Sequence, residues 1–205
     1  GDYRIVTPLL ATAPVDAAGT IKGDLIISGR GDPGWNPRYE KKDFWTAFEP
    51  FIAVLRQAGV KRITGDLVAD ATWLRQPPQG AGWAVGDLQD YYGAEISAIS
   101  LEENYVDLHI TPAKVVGQPC VAEFKQPLSG LVIDNRTVTT PAGSPRRLQV
   151  LRLPGENRVL LQGELPLDGK VEESEATMER PAEWFARALH EALKRAGITV
   201  EGRAV

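Results

Sequence analysis

The stretch Ala58-Gly-Val-Lys-Arg-Ile-Thr-Gly65 decides the fold, together with its echo Ala196-Gly-Ile-Thr-Val-Glu-Gly202. Each stretch follows a run of apolar residues at helical spacing, has a glycine where a helix would end, and continues into a short strand pattern. The chain therefore contains two helix–glycine–strand units in different parts of the sequence. This arrangement fits two α+β modules.

The two helices that precede these stretches are visible in the spacing of their apolar residues. The first begins after the capping residue Asp43 and runs to about Ala58, and Pro50 is expected to kink or restart it. The second begins at Pro181 and ends at Gly197. The apolar positions are Phe44, Phe48, Phe51 and Leu55 in the first helix, and Trp184, Phe185, Ala188, Leu189, Ala192 and Leu193 in the second.

Strand signals account for most of the remaining chain. Residues 3–12 predict a short helix or strand, and residues 21–28, 60–70 and 198–202 predict one strand each, the second with a bulge at Gly65. Farther along, segments of strand composition alternate with Pro, Gly or Asn, which is typical of an antiparallel sheet. These segments are Tyr105–Ile110, Cys120–Phe124, Leu131–Asp134, Leu148–Leu153 and Arg158–Gln162.

We therefore predict an α+β fold of two modules. A small α/β module, expected at residues 20–96, is nested within a mostly antiparallel β-sheet module with a C-terminal helix and strand. That second module is expected at residues 1–19 and 97–205. Residues 75–93 lack periodicity and are rich in Pro, Gly and aromatic residues, which indicates a loop with too much aromatic mass for a disordered linker.

Composition excludes several classes of function. The chain has 205 residues, enough to bury a core in one or two domains. Its net charge is -4, whereas nucleic-acid-binding proteins usually carry a basic patch, so no nucleic-acid partner is expected. Its longest apolar runs are strand-sized, and we predict no membrane span. The single cysteine, Cys120, excludes an intrachain disulfide and a cysteine-based zinc site.

The motif Gly29-x-Gly31-x-x-Gly34 follows a predicted strand and formally matches a dinucleotide-binding fingerprint. That mechanism requires a helix whose N-terminus faces a pyrophosphate. Pro33, Trp35 and Pro37 favour turns instead. The embedded Arg30-Gly-Asp32 is a cell-adhesion tripeptide, but a surface turn explains it better.

Neither histidine has a His or Cys partner at metal-ligand spacing: His109 alternates within a strand, and His190 lies on the last helix. We expect no metal site and no cofactor. The acidic pairs Glu102-Glu103 and Glu172-Glu173-x-Glu175 are candidates for glycoside cleavage, but adjacency in sequence does not place two carboxylates across a cleft. Solvated charge is the interpretation that we favour.

The segment Gly82-Trp83-Ala-Val-Gly-Asp87-Leu-x-x-Tyr91-Tyr92-Gly places one carboxylate among three aromatic residues. Rigid aromatic rings beside one negative charge suit an apolar ligand that carries an ammonium group. The alternative is that Trp83, Tyr91 and Tyr92 pack as a small core while Asp87 caps a turn. The residues alone leave both interpretations open.

Several stretches in a fixed order resemble a known family, the class C low-molecular-mass penicillin-binding proteins, which are serine D-alanyl-D-alanine carboxypeptidases and endopeptidases. The matching stretches are Asp2-Tyr-Arg-Ile-Val-Thr7, Gly23-Asp-Leu-Ile-Ile-Ser-Gly-Arg-Gly-Asp-Pro33, Ala58-Gly-Val-x-x-Ile-x-Gly-Asp-Leu-Val-x-Asp70, Gly82-Trp83 with Asp87-Leu88, Ser97-Ala-Ile-Ser-Leu-x-x-Asn104 and Ala196-Gly-Ile-x-Val-x-Gly202. The resemblance implies a periplasmic or extracellular location and a peptidoglycan stem peptide as partner.

The catalytic motifs of that family are absent from the 205 residues: there is no Ser-x-x-Lys, no Ser-x-Asn and no Lys-Thr-Gly. Such chemistry needs a nucleophilic Ser and a Lys to take its proton. In the family, a long insertion separates Ser-x-x-Lys from the other two motifs and forms two accessory domains. The resemblance implies that this chain is that insertion, inactive by itself, with no catalytic residue and with the catalytic domain of the same polypeptide as its partner.

Asp87 matches an acidic residue that, in the family, reaches over the active site and pairs with the free amino group of a diamino acid in the stem peptide. Trp83 and Tyr92 match aromatic positions around that side chain. The resemblance thus implies a substrate-binding role for these three residues. One departure is Val85, where the family often has a second Trp. The alternative to an enzyme region is a stand-alone binding or scaffold module derived from the family.

Overall fold

The computed structural model describes residues 4–205, so the beginnings of the predicted element at 3–12 and of the matching stretch at Asp2 lie outside the described residues. The described chain is α+β, as predicted. Its helices are α1 (Glu49–Gln57) and α2 (Pro181–Arg195). Its strands are β1 (Leu9–Ala11), β2 (Thr20–Ile21), β3 (Leu25–Ser28), β4 (Arg62–Ile63), β5 (Leu67–Asp70), β6 (Tyr105–Thr111), β7 (Val121–Phe124), β8 (Val132–Thr140), β9 (Arg147–Arg152), β10 (Arg158–Pro166), β11 (Glu172–Thr177) and β12 (Thr199–Val200).

The chain divides into two compact units. The first unit comprises the described residues up to Pro78, together with Ile96–Glu103 and Arg180–Val205. The second comprises Gln79–Glu95 and Asn104–Glu179. The boundaries of these units differ from those of the predicted modules. The predicted modules were residues 20–96 and residues 1–19 with 97–205. The nested arrangement with those bounds therefore stays a prediction.

Both deciding stretches form the same helix ending. After α1, the N–H groups of Gly59 and Val60 donate to the carbonyls of Arg56 and Leu55, both at 2.9 Å. After α2, Gly197 and Ile198 repeat this pattern with Lys194 and Leu193. The two glycines have φ of +75° and +80°, the left-handed conformation that this helix ending requires and that other residues resist.

The strands that follow the two stretches lie side by side. β4 pairs in parallel with both β2 and β12, and Thr20 and Thr199 are opposite Arg62 on its two sides. The two helix–glycine–strand units therefore belong to one sheet of the first unit. The second sheet of that unit pairs β3 with β1 antiparallel and with β5 in parallel.

Two predicted strands are interrupted in the structure. Residues 21–28 form β2 and β3, and residues 60–70 form β4 and β5, which pair in two different sheets. The interruptions contain Gly23 and Gly65, and the Gly65 N–H donates to the Gly23 carbonyl at 2.9 Å. Each predicted strand is thus divided by a turn at its glycine. At Gly65 this turn takes the place of the predicted bulge.

The core of the first unit contains an aromatic cluster formed by α2, α1, the preceding 3-10 turn (Phe44–Phe48) and Trp35. Asp43 caps that turn by accepting the Trp45 N–H at 2.9 Å, and Pro50 lies in the first turn of α1, so the predicted restart at Pro50 is confirmed. Phe185 is fully buried, with ring centroids 5.2–5.6 Å from its neighbours. The members of the aromatic cluster are Trp35, Phe44, Phe48, Phe51, Trp184 and Phe185.

The second unit contains two three-stranded sheets, in the orders β8-β10-β9 and β11-β6-β7. The prediction of antiparallel pairing is correct for β10 with β9 and for β6 with both neighbours, but wrong for β8 and β10, which are parallel. β9 lies between β8 and β10 in the sequence and pairs antiparallel with β10, on the edge opposite β8. The acidic group Glu172-Glu173-x-Glu175, for which solvated charge was the favoured interpretation, lies on β11. No helix within residues 4–205 has the length and apolarity to cross a membrane.

Candidate functional site

The segment that was predicted to bind a ligand belongs to the second unit. We call residues 79–95 the site segment; it contains two short 3-10 turns, Asp87–Gln89 and Tyr91–Gly93. The Asp90 N–H donates to the Asp87 carbonyl, and the Gly93 N–H donates to the Asp90 carbonyl at 2.9 Å. A Cβ at Gly93 would lie 1.9 Å from the Asp87 carbonyl oxygen, so only glycine allows the two turns to pack this closely.

The Asp87 carboxylate is half-buried and has one structural partner. Its Oδ2 accepts the Ala84 N–H at 2.7 Å, which is the turn-capping role that the sequence left open. Within residues 4–205, neither an ion pair nor a second hydrogen bond engages this carboxylate. Capping therefore uses one oxygen and leaves negative charge for a cationic ligand.

Tyr92 lies in the electrostatic field of this carboxylate. Its hydroxyl donates to Asp90 Oδ2 at 2.7 Å, and this bond is the main reason why the pKa of Tyr92 is raised to about 12. Desolvation and the charges of Asp90 and Asp87 raise the same pKa further. Tyr91 and Tyr92 meet edge to face at 5.5 Å, and more than half of each side chain is exposed. The structure thus brings Asp87 and Tyr92 together.

Trp83 has a different environment. The indole is half-buried against Gly80, where an added Cβ would lie 2.7 Å from ring atoms. No described contact joins this ring to Asp87 or Tyr92. Val85, at the position of the departure from the family pattern, is 71% exposed. The role of Trp83 beside Asp87 stays a prediction.

Sequence reasoning missed the residues that hold the site segment. Thr177 Oγ1 donates to the Leu88 carbonyl at 2.7 Å, and the Tyr91 N–H donates to Glu175 Oε1 at 2.8 Å. Gln89 Oε1 accepts the backbone N–H of Arg152 at 3.3 Å. The sequence feature that could have indicated these contacts is the alternation of Glu173, Glu175 and Thr177. Residues two apart on a strand share a face, so these side chains can act together.

Arg152 forms the buried polar centre beneath the site segment. Its side chain is 4% exposed and pairs with Glu179 at 3.4 Å. Burial lowers the pKa of this guanidinium, and the charges of Glu179 and Glu95 oppose that shift. The adjoining cavity, lined in part by Leu88 and Arg152, has a volume of about 70 Å³. This is far below the roughly 300 Å³ of a ligand pocket. This cavity is therefore too small for a ligand of that size.

The other motifs have structural partners. Glu102 pairs with Arg38 at 3.0 Å and Glu172 with Arg146 at 2.7 Å. The Gly29-x-Gly31-x-x-Gly34 motif leads into a four-residue 3-10 turn at Pro37–Glu40, not into an α-helix. Within residues 4–205, no group of three or more His, Cys, Asp or Glu side chains is arranged to hold a metal ion.

Comparisons with known proteins identify similar chains. The model of the D-Ala-D-Ala carboxypeptidase 3 (S13) family matches residues 1–205. A D-alanyl-D-alanine carboxypeptidase of Actinomadura sp. (strain R39) is 28% identical over 207 residues, which cover 98% of this chain and 37% of that protein. The D-alanyl-D-alanine carboxypeptidase DacB of Haemophilus influenzae is 25% identical over 134 residues, 63% of this chain and 26% of its own length.

Solved structures share the fold. The crystal structure of penicillin binding protein 4 (dacB) from Haemophilus influenzae superimposes with a TM-score of 0.77 at 22% identity, over 96% of this chain and 42% of that chain. A second structure of that protein, complexed with a novel β-lactam, gives a TM-score of 0.65 at 19% identity. The chain thus spans well under half the length of the relatives that it matches.

Proposed function

Because this chain belongs to the D-Ala-D-Ala carboxypeptidase 3 (S13) family, we propose that it is a non-catalytic accessory region of a serine-type D-Ala-D-Ala carboxypeptidase or endopeptidase. In this proposal the region shapes the substrate site and recognises peptidoglycan stem peptides. One observation carries it: the family model matches residues 1–205, while Ser-x-x-Lys, Ser-x-Asn and Lys-Thr-Gly are all absent from them. A serine peptidase cannot dispense with its nucleophile and the Lys that activates it.

Asp87 is the residue that we propose binds the substrate's free amino group. Half-exposure and an unpaired carboxylate oxygen support this role, because an ammonium needs an accessible acceptor. Asp90 and Glu175 add negative charge nearby, and no described basic side chain is within ion-pair distance of either. The exposed rings of Tyr91 and Tyr92 offer contact for the apolar stem of a diamino acid. Trp83 contributes at the margin of this surface.

The remaining parts of the proposal concern partners and location. The catalytic domain of the same polypeptide supplies the reacting groups, and this chain supplies the selectivity for the amine. Peptidoglycan stem peptides lie outside the cytoplasmic membrane, so we place the protein in the periplasm or outside the cell. No nucleic acid and no cofactor enters the proposed role.

The test of the amine site uses the full-length gene product and two peptide substrates that differ only in the free amine. Asp87→Asn removes the charge and keeps an acceptor for the Ala84 N–H, whereas Asp87→Ala removes both. Since a hydrogen bond to a charged group is worth about 1.5–3 kcal/mol, kcat/KM for the amine-bearing peptide should fall about 10- to 100-fold, mainly through KM. Unchanged discrimination between the two peptides in both variants would remove Asp87 from the site.

The accessory role has its own test. The isolated chain should form no covalent adduct with labelled penicillin, because it has no nucleophilic serine motif. The gene should carry Ser-x-x-Lys before residue 1, and Ser-x-Asn and Lys-Thr-Gly after residue 205. A covalent penicillin adduct on this chain would contradict an accessory role. A gene without those motifs would also contradict it, and would point instead to a binding or scaffold module.

A further inference from the structure

We propose that Thr177 and Glu175 on β11 are positioning residues for Asp87 and thereby determine selectivity for the substrate's amine. The inference rests on the proposed function of Asp87 and adds residues from another part of the sequence. Neither side chain needs to touch substrate. Each binds the backbone of the site segment within a few residues of the carboxylate.

The two contacts lie between Asp87 and Tyr92 in the sequence. Thr177 Oγ1 binds the carbonyl of Leu88, the residue directly after Asp87, and Glu175 Oε1 binds the N–H of Tyr91, the residue directly before Tyr92. The distances of 2.7 and 2.8 Å are those of good hydrogen bonds. One strand therefore fixes the backbone between Asp87 and Tyr92 at two points.

β11 is suited to this role because its backbone is held along its whole length. It pairs with β6 over its whole length, and Glu175 and Thr177 are opposite Asp107 and Tyr105. Thr177 is 4% exposed, so water competes little for its hydroxyl. Since Glu175 and Thr177 are two residues apart, their side chains leave the strand on one face. A fixed strand with two directional contacts defines the position of the turn more closely than apolar packing does.

The site segment contains neither an α-helix nor a strand. Its residues form two adjoining 3-10 turns, and the aromatic side chains Tyr91 and Tyr92 are more than half exposed. Two further anchors, Gln89 with the Arg152 N–H at 3.3 Å and the Asn104 amide with the Glu95 carbonyl at 2.9 Å, bind residues other than 88 and 91. Loss of the Thr177 or Glu175 contact should therefore let Asp87 move without unfolding the unit.

The experiment measures substrate selectivity in the full-length gene product. Thr177→Val removes the hydroxyl at nearly constant shape, and Thr177→Ser retains it. For the amine-bearing peptide, KM should rise about three- to tenfold in Thr177→Val, as expected for one lost hydrogen bond, with kcat almost unchanged. Thr177→Ser should restore the KM, and the amine-lacking peptide should show no change in either variant. Amide exchange at residues 88–92 should be faster in Thr177→Val.

A double-mutant cycle separates positioning from general damage. In an Asp87→Asn background, Thr177→Val should have no further effect on selectivity, because there is no charge left to position. Glu175→Gln loses the charge but keeps an acceptor for the Tyr91 N–H, so it should raise KM less than Glu175→Ala, which loses both. This second pair keeps the test valid if a Thr177 variant does not fold.

The outcomes distinguish the two proposals. If Asp87→Asn reduces selectivity while Thr177→Val and Glu175→Ala do not, the positioning role is wrong and the amine site stands. If both peptides lose activity equally in Thr177→Val, the residue is merely structural and the positioning role is again wrong. If Asp87→Asn leaves selectivity intact, the amine site and the positioning role fall together.

Discussion

The aromatic cluster and the site segment are held in place by opposite kinds of contact. In the aromatic cluster, Phe48, Trp184 and Phe185 are completely buried; the Phe48 ring contacts Phe185, and the Trp184 ring stacks on Phe44. In the site segment, the tyrosine rings are more than half exposed, and hydrogen bonds from β11 fix the backbone. The first region is stabilised by burial, which has no preferred direction, and the second by contacts that act only in one geometry.

This difference explains why the candidate site lies in the second region. Apolar burial of about 25 cal/mol per Å² supplies stability wherever side chains fit. It does not place one carboxylate at a set position on an open surface. Directional hydrogen bonds do so, at a smaller gain of about 0.5–1.5 kcal/mol each. Mutations in the two regions should accordingly separate stability from selectivity.

The largest expected effect is in the aromatic cluster. Phe185→Ala should reduce the free energy of unfolding by about 3–5 kcal/mol, because it leaves a cavity between three neighbouring rings. Val54→Ala, on the exposed side of α1 at 51% exposure, is the control and should change little. Urea unfolding followed by tryptophan fluorescence measures both. Equal effects of the two substitutions would show that this cluster is not the main source of stability in its unit.

The polar counterpart in the second unit is Arg152. Arg152→Met should reduce stability by about 3 kcal/mol, because it leaves Glu179 without its partner and the Thr177 carbonyl without its donor. The control Arg158→Met breaks an exposed pair with Glu156 and should cost well below 1 kcal/mol. Thermal unfolding followed by circular dichroism tests this. If Arg152→Met were as stable as wild type, the buried pair would not organise the unit.

The comparison also shows what the sequence could predict. The two helices, their glycine endings and the restart at Pro50 follow from local rules, because spacing, capping and left-handed glycines act within a few residues. The aromatic members of the cluster were visible for the same reason. The fold class followed from these elements, and the family resemblance drew attention to Asp87, Trp83 and Tyr92.

The contacts that the sequence did not reveal are polar and join residues that are far apart in the sequence. Thr177 binds Leu88 from 89 positions away, and Glu175 binds Tyr91 from 84 positions away. No strand signal was apparent in the sequence of Glu172–Thr177, where charged residues are frequent. Parallel pairing of β8 with β10 was also hidden, since local strand patterns do not encode which strands pair. Register and partner choice depend on the whole fold.

A moderate effect is expected where the site segment packs on itself. Gly93→Ala should cost about 1–3 kcal/mol, because the new methyl group would overlap the Asp87 backbone. Gly86→Ala is a matched control in the same segment: its Cβ would meet nothing within 4 Å, and its φ of −64° suits alanine. It should be neutral or slightly stabilising. Hydrogen exchange at residues 87–93 and thermal unfolding would report both, and similar behaviour of the two variants would contradict the close packing of these turns.

The smallest expected effect concerns the protonation of Tyr92. Its pKa of about 12 in the folded chain is higher than the ordinary 10.0, because the Asp90 carboxylate accepts its proton in a hydrogen bond. The folded state therefore binds this proton more tightly than the unfolded state. The stabilisation is complete below pH 10 and is lost as the pH rises to about 12.

Spectrophotometric titration of tyrosinate absorbance, as the difference between wild type and Tyr92→Phe, should locate this ionisation. Asp90→Asn removes the charge that holds the proton and should lower the pKa of Tyr92 toward 10.0. If Tyr92 ionised near 10.0 already in the wild type, its hydroxyl would be free, and the ring would not be held beside Asp87 by Asp90. The open face of the site segment would then lack the fixed aromatic wall that distinguishes it from an ordinary exposed loop.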